Sequence, residues 1–81
     1  MKATVYVRPK PGILDPQGQA VGSSLRQLGF DVGEARVGRV VDLELQARNP
    51  AQARAELRLM CEQLLANPLI ESYEIELADD A

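Results

Sequence analysis

Cys61 is the only thiol in an 81-residue chain that contains no histidine, and those two facts bound its covalent chemistry. A cysteine becomes a nucleophile when a base or a positive field lowers its pKa, and the commonest base is missing. Cys61 also falls on one apolar stripe with Ala53, Leu57, Met60 and Leu64, the spacing of a helix face, and it has no second cysteine for a redox pair. It reads as a core residue. Glu71, Glu74 and Glu76 are close in sequence, but on a strand Glu71 points away from the other two, so they form no acid/base pair. Gly12, Gly18 and Gly22 match neither the Walker loop nor the dinucleotide fingerprint. Lys10 stands near a helix start that would attract an anion, yet Asp15 in the cap position already supplies the negative charge there. No catalytic residue, cofactor-binding residue or metal ligand is expected in this chain.

Composition narrows the partners. Twelve acidic against nine basic residues give a net charge of -3, which repels a phosphodiester backbone. Tyr6 is the one aromatic on the first strand, and the strand containing Asp42 and Glu44 has none, so base stacking on an RNA-recognition sheet is excluded. The chain reads as one domain, residues 1–81, near the size at which a core barely offsets an ordering cost of about 1.5 kcal/mol per residue. A partner chain is therefore expected. No apolar run approaches the ~20 residues of a membrane span, and no leader precedes the first strand, so a cytoplasmic location is expected.

The elements that must position any functional surface follow from periodicity. Residues 2–8 alternate Ala3, Val5 and Val7 against Lys2, Thr4, Tyr6 and Arg8, which predicts a half-buried strand stopped by Pro9 and Pro11. Asp15-Pro16 is a cap followed by a first helical proline, and Val21, Leu25 and Leu28 continue at helical spacing to Gly29. Gly18, Gly22, Ser23 and Ser24 weaken that helix, so it needs close packing to persist. Residues 30–38 and 40–47 predict two strands joined at Gly38-Arg39 as a hairpin. Asn49-Pro50 starts a second helix, with Gln52 placed for a capping box, and Asn67-Pro68 ends it. Ile70 to Leu77 predicts a last strand, and residues 78–81 a frayed acidic tail.

The order is β-α-β-β-α-β. It predicts an α+β fold of ferredoxin-like type, a four-stranded antiparallel sheet with two helices on one face. The opposite face, with Thr4, Tyr6, Arg8, Glu34, Arg36, Asp42, Glu44, Ser72, Glu74 and Glu76, is expected to serve association.

Four ordered blocks carry a family likeness: Lys10-Pro-Gly-Ile-Leu-Asp-Pro-Gln-Gly18, Leu28-Gly-Phe30, Arg36-Val-Gly-Arg39, and the run from Leu64 through Asn67-Pro68 to Glu74. Together they resemble the PurS family, the small subunit of phosphoribosylformylglycinamidine synthase, over about residues 2–77. Arg39 stands where that family often has lysine, and Pro9 and Pro11 stiffen the approach to the loop. The resemblance implies a non-catalytic subunit bridging an ATP-dependent synthetase subunit and a glutaminase subunit that supplies ammonia in de novo purine biosynthesis. It implies that ATP, Mg and glutamine are used by those partners, and that copies associate as dimers or higher oligomers through their sheets. On this picture Lys10, Gly12, Asp15, Pro16, Gly18, Arg36, Gly38 and Arg39 form one contact group, and Asn67, Glu71 and Tyr73 a second. The alternative for this topology is a sensing domain for an amino acid or nucleotide.

Overall fold

The alternation in residues 2–8 is realised as β1 (Lys2–Pro9), the central strand of an antiparallel sheet in the computed structural model, which describes residues 1–78. β2 (Arg39–Glu44) and β3 (Glu71–Leu77) flank it in the order β2-β1-β3. Register places Val5 between Val41 and Ile75, and Val7 between Arg39 and Tyr73. One face therefore collects Ala3, Val5, Val7 and Leu77, all buried, with Val41, Leu43, Tyr73 and Ile75 half-buried beside them. The other face collects Thr4, Tyr6 and Arg8, whose side chains hydrogen-bond to Asp42, Glu76 and Glu74 on the flanking strands.

Helix α2 (Pro50–Met60) covers the apolar face through Ala53 and Leu57. Asn49 Oδ1 accepts from the Gln52 N–H at 2.8 Å, while Gln52 Oε1 accepts from the Arg48 N–H at 3.0 Å, so the expected capping box closes one residue before the cap. The helix then widens into one π-helical turn, Cys61–Leu65, in which the Ala66 N–H reaches the Cys61 carbonyl five residues back at 2.9 Å. That wider turn buries both Cys61 and Ala66 against the sheet.

Helix α1 (Pro16–Gln27) begins at Asp15, as expected, and ends in a Schellman arrangement. The Phe30 N–H bonds to Leu25 O at 3.0 Å, the Gly29 N–H to Arg26 O at 3.1 Å, and Gly29 takes φ +99°. Its packing corrects the sequence reading. No residue of α1 belongs to the core, so the two helices do not share one sheet face. What α1 buries is Gly18 and Gly22, and both face Ala35: a Cβ on Gly18 would collide with the Ala35 carbonyl, and one on Gly22 would touch the Ala35 side chain. The glycines that weaken the helix are what let residues 32–37 lie against it.

The segment lying against α1 is the one expected to form the fourth strand. Residues 30–38 were expected to pair with the strand after them, yet the sheet has three strands among the described residues, and β2 pairs with β1 alone. Side chains of α1 and its cap bond to part of the backbone of residues 32–37: Arg26 Nη1 donates to the carbonyls of Val32 (3.2 Å) and Gly33 (2.8 Å), and the Val37 N–H donates to Asp15 Oδ2 (2.9 Å). A segment held by side chains this way has no regular row of groups to offer a neighbour. The result is an elongated molecule, 49 × 27 × 15 Å, with a radius of gyration of 15.8 Å, where about 12 Å is usual for this length. Beyond Ala78, whose N–H still bonds to Lys2 O at 3.0 Å, the expected tail lies outside the described residues.

Stability should rest on the α2 layer. Leu57 is fully buried, so Leu57→Ala should cost about 2–5 kcal/mol, whereas Leu64→Ala at an 83% exposed position should stay within about 0.5 kcal/mol of the parent. Urea midpoints at constant slope measure both, and equal losses would contradict this core.

Candidate functional site

The loop after β1 is tied down at both ends by backbone chemistry. Pro9 cannot donate to the sheet, so the ladder continues through the Lys10 N–H, which reaches Ile70 O at 2.9 Å. Lys10 Nζ then donates to Pro68 O at 2.6 Å, and the Ile13 N–H returns to Lys10 O at 3.2 Å around Gly12, whose φ is +83°. Asp15 closes the loop. Its Oδ1 accepts the Gly18 N–H at 3.0 Å, its Oδ2 accepts the Val37 N–H, and these two bonds hold the carboxyl below the ordinary aspartate range.

A second knot lies beside the first. Gly38 brings the start of β2 so near β1 that any Cβ would collide with the Val7 carbonyl, and Arg39 follows it on the same sheet face as Val7 and Tyr73. The Arg39 guanidinium grips Glu71 with both nitrogens, at 2.7 and 3.0 Å, and donates to Leu65 O at 2.6 Å. Glu71 Oε1 also accepts the Asn67 N–H at 2.7 Å. The bidentate arginine, then the Asn67 N–H, holds the Glu71 carboxyl below its usual range, and the same pair raises the Arg39 pKa. Asn67 Oδ1 accepts the Leu69 N–H at 3.1 Å, which fixes the turn between the π turn and β3. Arg36 reaches back to the Pro9 carbonyl and lies 3.5 Å from Glu34.

The two groups singled out in the sequence thus meet at one end of the sheet. Asp15, Gly18, Gly38, Arg39, Asn67 and Glu71 bond to or crowd one another's segments and hold the frame, while Lys10 and Arg36 tie the loop to it. Gly12 and Pro16 are exposed, and Tyr73 packs against the core. Arg36, Gly38, Arg39 and Asn67 are exposed as well, and large aliphatics outside the two groups share that outward surface. Ile13, Leu14 and Ile70 line one hollow, with Leu14 72% exposed, and Leu69 beside them is 84% exposed. Ile13-Leu14 lies between a turn glycine and a cap aspartate, and Leu69-Ile70 between Pro68 and the strand. Large aliphatics in segments with no period to bury them were the signal for this surface.

The remaining chemistry is sparse. Cys61 is buried, and burial, then the neighbouring Glu62 charge, raises its thiol pKa. Among the described residues no three Cys, Asp or Glu side chains are placed to hold a metal ion, and no helix is long and apolar enough to cross a membrane.

Comparison with known proteins agrees with this geometry. The family model described as PurS, phosphoribosylformylglycinamidine (FGAM) synthase, matches residues 2–79. The chain belongs to the PurS family. The Synechocystis PurS subunit of phosphoribosylformylglycinamidine synthase is 47% identical over 74 residues, which cover 90% of this chain and 74% of that protein. The crystal structure of Methanocaldococcus jannaschii PurS superposes with a TM-score of 0.81 at 38% identity, covering 93% of this chain and 92% of that one. A chain of the PurLQS structure from Thermotoga maritima gives a TM-score of 0.85 at 33% identity, covering 93% of each. The PurS likeness in the four sequence blocks therefore holds, and the sensing alternative has no support.

The depressed carboxyls set the acid behaviour. A native pKa below the unfolded value contributes stability that is complete above the ordinary carboxylate range, about pH 4, and is lost as pH falls through the native value. The melting temperature should hold between pH 7 and 5 and drop below about pH 4. Glu71→Gln should be less stable at neutral pH and show a shallower acid limb, and an unchanged limb would count against the Arg39–Glu71 knot.

Proposed function

We propose that this chain is the non-catalytic bridging subunit of an FGAM synthase complex, joining an ATP-dependent synthetase subunit to a glutaminase subunit, and that it docks by the loop end of its sheet. The observation that carries the docking site is the patch of Ile13, Leu14, Leu69 and Ile70, exposed on a frame whose polar groups are already paired with one another. A preorganised apolar patch binds without a large ordering cost. A patch of this kind on a small chain marks an interaction surface.

Membership in a family named for FGAM synthase, and the likeness to a chain of the T. maritima PurLQS assembly, support the partners. On this reading the complex works in purine biosynthesis in the cytoplasm, and ATP, Mg and glutamine are handled by the partner subunits. The outer edges of β2 and β3 have no strand partner among the described residues, which fits association of copies through their sheets. Of Lys10, Gly12, Asp15, Pro16, Gly18, Arg36, Gly38, Arg39, Asn67, Glu71 and Tyr73, most shape the docking end, and the aliphatics they expose make the contact.

Leu14→Asp puts a charge at the centre of the patch without touching the core. Its affinity for the synthetase and glutaminase subunits, measured by titration calorimetry, should fall at least about tenfold, ~1.4 kcal/mol, with circular dichroism and melting temperature unchanged. Undiminished binding would show that the partners dock elsewhere.

A further inference from the structure

The docking end continues around Pro9 and Gly38 into an open hollow of about 630 Å³ lined by Tyr6, Arg8, Arg36, Arg39 and Ser72, with Val7, Val40 and two prolines between them. This hollow shares Pro9, Gly38 and Arg39 with the hollow of Ile13, Leu14 and Ile70, so the two form one surface. Three of the nine basic residues line it, with Glu74 3.3 Å from Arg8 and Glu34 3.5 Å from Arg36 at its margin.

Arg39 lines the hollow as a residue, but its guanidinium turns to Glu71 on the apolar face, which leaves Arg8 and Arg36 as the guanidiniums of this side. Arg39 is committed to Glu71 and Leu65 O. Arg8 donates one N–H to Glu74 at 3.3 Å and lies 5.7 Å from the centre of the Tyr6 ring, and Arg36 donates to the Pro9 carbonyl beside Glu34 at 3.5 Å. Arginine carries five N–H donors, so Arg8 and Arg36 retain several. Their glutamates are 74% and 77% exposed, and solvent-exposed pairs of this kind are weak and exchange readily.

We propose that this hollow receives an acidic segment of a partner subunit, whose carboxylates take the spare donors of Arg8 and Arg36 while an adjoining apolar side chain covers Ile13, Leu14 and Ile70. The proposal rests on the bridging reading above. Charge complementarity selects the occupant. A free anion would meet guanidiniums already half-neutralised by glutamates, whereas a carboxylate on a chain already docked at the neighbouring apolar patch has a high effective concentration. Arg8, on the polar sheet face and absent from the sequence-derived contact groups, becomes a specificity determinant. Arg39 becomes a positioning residue that holds the rim.

The test is the affinity of the chain for the purified synthetase and glutaminase subunits at 50 and 200 mM NaCl. Arg8→Glu/Arg36→Glu, with Arg8→Gln/Arg36→Gln to remove charge without repelling Glu34 and Glu74, should weaken binding at least about tenfold at low salt and flatten the salt dependence. Lys2→Glu, at the far end of β1, should do neither. If both double variants bind like wild type while Leu14→Asp fails to bind, docking at this end stands and the acidic segment is overturned. If wild type binds neither subunit, the bridging reading and this proposal fall together. If inorganic phosphate raises the wild-type melting temperature but not that of Arg8→Gln/Arg36→Gln, and partner affinity is unaffected by the substitutions, the hollow is a small-anion site and the proposal is wrong.

Discussion

The Arg39–Glu71 pair closes the end of the core, and the geometry of the loop end depends on it. Arg39 on β2 and Glu71 on β3 stand on the apolar face with β1 between them, so their contact spans the sheet above Val7 and Pro9. Each partner also holds the chain that crosses this end: arginine takes the Leu65 carbonyl, and glutamate takes the Asn67 N–H. One bidentate contact thereby fixes two flanking strands and the exit from the π turn. With Glu71 largely shielded, removing one partner would leave the other's hydrogen bonds unmade, which costs more than the net worth of the pair.

The Asp15 carboxylate plays the equivalent part in the other half of the chain. One oxygen caps α1 and the other holds Val37, so the helix and residues 32–37 are joined at their base. Gly18 and Gly22 then allow close contact along the helix. Together these features build a lobe that stands apart from the sheet core. With its polar groups turned inward, the loop leaves Ile13 and Leu14 to face outward, and Lys10 fastens it to the turn that presents Leu69 and Ile70.

Much of this was legible along the chain. Both helix caps, the alternating first strand, the glycine stop at Gly29 and the core place of Cys61 follow from local rules, because each depends on residues within one turn or one strand. The opposite pointing of Glu71 against Glu74 and Glu76 follows from strand parity alone, and it puts Glu71 with Arg39 and the other two with Arg8 and Tyr6. The family blocks were legible as well, since turn glycines and cap residues keep their identity wherever the backbone needs them.

The fourth strand, the resting place of α1 and the outward surface were not legible. Residues 30–38 were read as a strand from composition and the turn at Gly38, but whether a ladder forms depends on tertiary partners, and here Arg26 and Asp15 bond to this backbone. Glycines in α1 announce a close approach without naming what approaches. Arg39, Asn67 and Glu71 are conspicuous in sequence, but that they bond to one another is visible only in the fold, as is the exposure of Leu14 and Leu69 beside them. The sequence alone determined the local caps, the strand parity and the family, because those are set by near neighbours. Tertiary structure decided which polar groups met and which apolar groups were left uncovered, because side-chain pairing across the sheet joins residues 32 to 70 positions apart, where no local rule reaches.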